Sequence, residues 1–167
     1  MSDHSLRLVV TTVEYYRIKL KKIPGKYRSS QPLAVTRPSP LKLRKQVEFF
    51  AIYFRREFDY AIREFDARDK DPYTAYLFPN PHARVWIGAC CFRPESYAYD
   101  VDSDTLRWIW LHPYYRMKGV LTEAWPFFRA NHGDFFIEPP LCPGMLHFVL
   151  RYNRRSRFLG YYEKRAA

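Results

Sequence analysis

The chain has 167 residues, the size of one ordinary domain, and 47% apolar with 19% aromatic is ample for a single buried core, which excludes a chain disordered throughout. Lys and Arg outnumber Asp and Glu by 28 to 17, a formal charge of +11. Such a field draws polyanions: nucleic acid, phosphorylated cofactors or acidic proteins.

The three cysteines include the adjacent pair Cys90 and Cys91 and no C-x-x-C spacing. They form neither a disulfide framework nor a zinc pattern, so the expectation is reduced thiols in a cytoplasmic protein, with no metal. The opening MSDHSLRLVV carries Asp3 and His4 where a secretory leader needs basic and then apolar residues. No later segment has the length to cross a bilayer, and no membrane association is expected.

In chain order, residues 7–20 are rich in β-branched and aromatic side chains and predict a first strand. From Pro24 to Pro40 four prolines with Gly25, Ser29 and Ser30 predict a loop or arm over the surface. Over 41–65, Val47, Phe50, Phe54, Phe58, Ala61 and Phe65 recur at steps of three or four, the period of one helical face. Two β-rich runs, 72–80 and 83–95, read as a hairpin through Asn80-Pro81-His82. After a polar turn around Asp100 to Asp104, residues 106–113 supply another apolar strand. A helix is predicted over 118–133, ending at Gly133 and interrupted by Pro126. A short strand (134–139), a helix (143–155) and a final strand (157–165) complete a single α/β (α+β) domain over 1–167.

Function turns on WIWLHPYYRMKGVLTEAW, residues 108–125. An apolar strand delivers the chain through Arg116-Met117-Lys118-Gly119 to a helix whose first N–H groups lack internal partners and lie at its positive end. Such a start suits an anion. Gly119 permits close approach, and Arg116 and Lys118 bring charge to the rim.

This run resembles the acetyl-CoA-binding segment of the Gcn5-related N-acetyltransferase superfamily, in which a strand ends in a His-Pro or similar pair before an Arg/Gln-x-x-Gly-x-Gly/Ala turn. The order of predicted elements agrees with that fold, a central, mostly antiparallel mixed sheet flanked by helices. Two positions depart: Leu121 stands at the last Gly/Ala position and Met117 where glycine is frequent. The resemblance implies acetyl transfer from acetyl-CoA to an amine acceptor whose identity is open. The backbone N–H groups of Met117, Lys118, Gly119, Val120 and Leu121 would hold the pyrophosphate, with Arg116 adding charge at the rim, and the strand end at Trp110 and Leu111 would hold the pantetheine arm and thioester carbonyl.

The attacking amine must be neutral and needs a base. The strand before the turn has no glutamate, so His112 and Glu138 are the candidates, each with a bland alternative as turn cap or solvated carboxylate. Tyr152 is nearest to the tyrosine that protonates the departing thiolate in that family, with His147 as fallback; packing of the ring is its bland reading.

Two further readings stand beside this one. The basic runs 17–28 and 151–157, with exposed Tyr and Trp, fit nucleic-acid binding without catalysis. A transferase fold without activity, serving as an interaction module, fits Leu121 and the missing glutamate.

Overall fold

The computed structural model describes residues 14–25, 27–60, 64–97, 101–138 and 141–152. Its centre is a five-stranded open sheet in sequential order, with helices on both faces. Strands β1 (Leu33–Thr36), β2 (Thr74–Asn80), β3 (Val85–Tyr97) and β4 (Val101–Leu111) are antiparallel neighbours, and β5 (Phe136–Ile137) lies parallel to β4. Helix α1 (Leu41–Glu57) joins β1 to β2, α2 (Val120–His132) carries the chain from β4 to β5, and α3 (Pro143–Tyr152) follows.

Because both faces are covered, the strands read as continuous apolar runs. Along β2, Ala75 and Leu77 face α1 with Val47, Phe50 and Trp110, while Tyr76 and Phe78 face α2 with Phe92, Trp125 and Phe128. The tie between the sheet and the end of α2 is polar. At the end of α2, His132 Nδ1 lies 2.6 Å from Asp104 Oδ2, its Nε2 lies 2.8 Å from the Tyr76 hydroxyl, and its ring stacks on Phe92 at 4.0 Å.

Several boundaries differ from the sequence expectation. The predicted first strand falls largely on residues outside those described, and Glu14–Tyr15 form a helical turn. The segment 24–40 contains β1, a four-residue edge strand between Pro32 and Pro38; an edge strand needs partners on one side only, so flanking prolines do no harm.

Helix α1 stops at Glu57, not 65. Asp59 adopts a left-handed conformation (φ 53°), and the Tyr60 N–H returns to the Arg55 carbonyl at 3.0 Å, closing the helix end as a Schellman turn. The polar stretch to Asp104 is the start of β4, paired with Pro94–Tyr97 as a long hairpin arm. Helix α2 runs through Pro126; both Pro126 and Thr122, whose carbonyl loses its helical partner there, are exposed, where a lost helix bond costs least. The expected last strand lies outside the described residues.

Candidate functional site

Strand β4 pairs with β5 only at Thr105↔Phe136 and Leu106↔Ile137, closed by the Glu138 N–H to the Leu106 carbonyl at 3.0 Å. The next residue, Arg107, is a bulge. Register with β3 passes from Phe92↔Leu106 to Cys91↔Trp108, so Arg107 has no opposite number. A bulge bends its strand. Beyond it β4 runs on without β5, and a cavity of about 170 Å³ occupies the gap. Its walls are Arg107 to Ile109 of β4, Glu138 after β5, Leu141, Cys142 and Met145 at the start of α3, and Phe54, Phe58 and Tyr60 at the end of α1. Arg107 Nε lies 2.6 Å from Glu138 Oε2, with Glu64 3.7 Å from the same guanidinium.

Main-chain direction follows from the ladder. The His112 N–H donates to the Ile87 carbonyl at 2.8 Å. Alternation along an antiparallel pair then turns Trp110 toward β3, opposite Ala89, and aims the main chain of Ile109 and Leu111 at the open edge. The Leu111 carbonyl there accepts from Arg116 Nε at 2.8 Å. The side chain of Trp110 also points away from the gap, stacked on Phe50 and Tyr53 of α1.

The turn after β4 is built in two steps. His112 caps a 3-10 turn at Pro113–Tyr115, its Nδ1 accepting the Tyr114 N–H at 3.3 Å. Burial, then the nearby Arg116, hold the His112 pKa below its ordinary value, against opposing pulls from Glu57 and the Ile18 main chain. Met117 and Gly119 then take left-handed φ values of 59° and 82°. Gly119 is the N-cap of α2, and no side chain caps that start. Met117 is 94% exposed, whereas Val120 and Leu121 are partly buried and pack inward on the α2 core.

The charges expected at the rim are placed otherwise. Arg116 is turned inward onto Glu57, Nη1 to Oε1 and Nη2 to Oε2 both at 2.6 Å, and Trp110 Nε1 donates to the same carboxylate at 2.6 Å. A planar guanidinium committed at Nε and both terminal nitrogens holds the turn to α1 and β4, not an outside phosphate. Lys118 is exposed, with Nζ 3.5 Å from the Tyr114 ring centroid, and a flexible stem leaves it free to move.

Of the proposed acid–base residues, Glu138 lines the cavity and His112 serves as a turn cap. Tyr152 ends α3 with its ring stacked on Phe148 and half exposed. Seven residues beyond Met145, it stands roughly 10 Å along the helix from the cavity wall. His147 is exposed on the same helix. Sequence reasoning passed over Glu57, Arg107 and Ile109. Glu57 lies 59 residues from Arg116, so no local pattern couples them; the adjacency exists only once α1 packs on the sheet.

Among the described residues no group of His, Cys, Asp and Glu could hold a metal ion, and no helix is long and apolar enough to cross a membrane. No protein-family model matches the chain, and no curated protein matches it either.

Proposed function

We propose that this chain is an acyl-CoA-dependent N-acyltransferase of the Gcn5-related kind, acetylating an amine. The observation that carries the reading is the parting of parallel strands β4 and β5 beyond the Arg107 bulge, with a cavity in the gap and the uncapped start of α2 beyond the end of β4. Strands that separate leave main-chain donors and acceptors to be satisfied by an extended, amide-bearing chain between them, which is the chemistry of a pantetheine arm.

The amides around Met117 and Gly119 are the ones assigned to a pyrophosphate: two left-handed residues and a helix start without a side-chain cap stand there, a setting that suits an anion. Lys118 supplies the mobile cation, and Arg116 fixes the shape of the turn through Glu57. In the reaction the amine nitrogen bonds to the thioester carbon, the C–S bond breaks, coenzyme A departs as thiolate and the nitrogen gives up a proton. Glu138, in the cavity wall, is the carboxylate placed to take it, directly or through water.

The capture of Arg116 by Glu57 favours a second reading, the same fold without catalysis. Calorimetry and thermal melting with acetyl-CoA separate the two. At ligand a hundredfold above Kd, mass action adds about 2.7 kcal/mol, or a rise of roughly 5–10 °C in Tm for a chain of this size. No heat and no shift at millimolar acetyl-CoA would exclude the transferase.

A further inference from the structure

We propose that residues 16–22 and the 112–118 turn form one face that binds single-stranded nucleic acid. The last bond from this side of β4 to β3 is His112 N–H to the Ile87 carbonyl, and beyond it the early segment takes the place of β4. The Trp86 N–H donates to the Lys21 carbonyl at 3.0 Å, the Ile23 N–H to the Arg84 carbonyl at 2.9 Å, and Lys22 bridges Val85. This lays the basic segment beside the end of β4, where the Tyr16 and His112 rings meet edge-on at 6.2 Å.

The segment is sided. Ile18, Leu20 and Ile23 pack on the core, and Arg17, Lys19, Lys21 and Lys22 are exposed. Four cations within six residues, joined by exposed Lys118 across the turn, give a phosphate-tracking surface. Two rings stand within it: Tyr16, 51% exposed, meets the His112 ring edge-on, and Tyr114, 57% exposed, is tied to His112 through its main-chain N–H.

Each of these residues leaves about half of its surface open to solvent, and beside cations such rings are platforms for unpaired bases. A duplex hides its base faces, and among the described residues no helix or two-stranded ribbon projects from this face to enter a groove. A bilayer surface asks for an apolar side turned outward; here the apolar side chains of the segment face inward and Met117 is the one large apolar residue fully exposed on the turn.

The inference does not require the transferase reading and is tested without acetyl-CoA. Fluorescence anisotropy of labelled oligouridine and oligothymidine of about 12 nucleotides is followed over a salt series with the full chain. The expected result is binding whose log affinity falls linearly with log salt, with a slope near −0.7 per phosphate neutralised. Combined Lys19→Ala, Lys21→Ala and Lys22→Ala should flatten that slope by about 2. Tyr16→Ala and Tyr114→Ala should each weaken binding roughly 5- to 100-fold and leave the slope unchanged. All five positions are exposed, and a thermal melt verifies folding. No anisotropy change at the lowest salt, duplex bound as tightly as single strands, a slope untouched by the triple substitution, or tighter binding to phosphatidylserine vesicles would each overturn the proposal.

Discussion

Glu57→Ala tests the most connected polar group around the turn. The carboxylate, its side chain 9% exposed, accepts from both terminal nitrogens of Arg116 and from the buried Trp110 indole. Without it the indole N–H has no acceptor, at a cost of about 1–3 kcal/mol. A fully buried ion pair broken from one side costs about 3–5 kcal/mol. Arg116 is 31% exposed and keeps its bond to the Leu111 carbonyl, so it rehydrates in part, and about 1–2 kcal/mol is the discounted figure. The sum is about 3 kcal/mol, or roughly 6–12 °C in Tm. Urea unfolding followed by tryptophan fluorescence reads it directly. Glu57→Gln retains an oxygen for the indole and should lose about half as much. An alanine variant within about 0.5 kcal/mol of the parent would show that the three bonds do not hold the turn.

Other consequences follow from single positions. A Cβ on Gly88 would fall on the Trp110 carbonyl and 2.9 Å from Leu111 Cα, both main chain, so Gly88→Ala should cost at least about 2 kcal/mol in denaturant unfolding by displacing the end of β4. Because the folded pKa of His112 is depressed, the unfolded state binds more protons in the window below about 6.5, the ordinary histidine value. Stability should therefore be full above that pH and decline as pH falls through the folded value, and His112→Asn, which keeps an acceptor for the Tyr114 N–H, should flatten the decline relative to the parent. Of the three cysteines, Cys90 and Cys91 are fully buried, and burial pushes the Cys90 thiol well up and that of Cys91 to about 12, so a thiol reagent at neutral pH should modify Cys142 alone, read by intact mass before and after unfolding.

The hairpin β2–β3 and helix α2 were legible because their signals are local: β-rich runs on either side of Asn80-Pro81-His82, and a 3.6-residue apolar period closed by Gly133. What escaped was set by distant contacts. Asp102, Ser103 and Asp104 read as a turn because strands favour β-branched and aromatic residues, yet they pair with Pro94 to Ser96, and Asp104 is kept polar for His132 on α2. The periodic run 41–65 overshot because an aspartate, not a glycine, takes the left-handed position that ends α1. The turn itself was found by its spacing, although the helix starts at Val120 and not at 118, with Gly119 as its N-cap. The pairing of Arg116 with Glu57 was not legible, because charge near a helix start says nothing of a carboxylate 59 residues away.

With Arg116 withdrawn, any anion at this turn rests on main-chain amides and Lys118, so the backbone at Met117 and Gly119 decides the matter. A side chain at φ near +60° costs about 1–2 kcal/mol, and Met117 carries that cost while 94% exposed and packing on nothing. Met117→Gly removes the strain but admits about 0.5–1 kcal/mol of unfolded-chain entropy, so stability should be unchanged or rise by up to about 1.5 kcal/mol and the acetyl-CoA shift should survive. Gly119→Ala is different. The nearest atom to the added Cβ is Glu123 Oε1 at 3.8 Å, so no collision occurs and the cost is φ alone, about 1–2 kcal/mol. That cost is relieved by rotating the amides that open α2, and the thermal shift with acetyl-CoA should fall sharply while the fold persists. An alanine at 119 that binds acetyl-CoA as the parent does would remove these amides from the phosphate site.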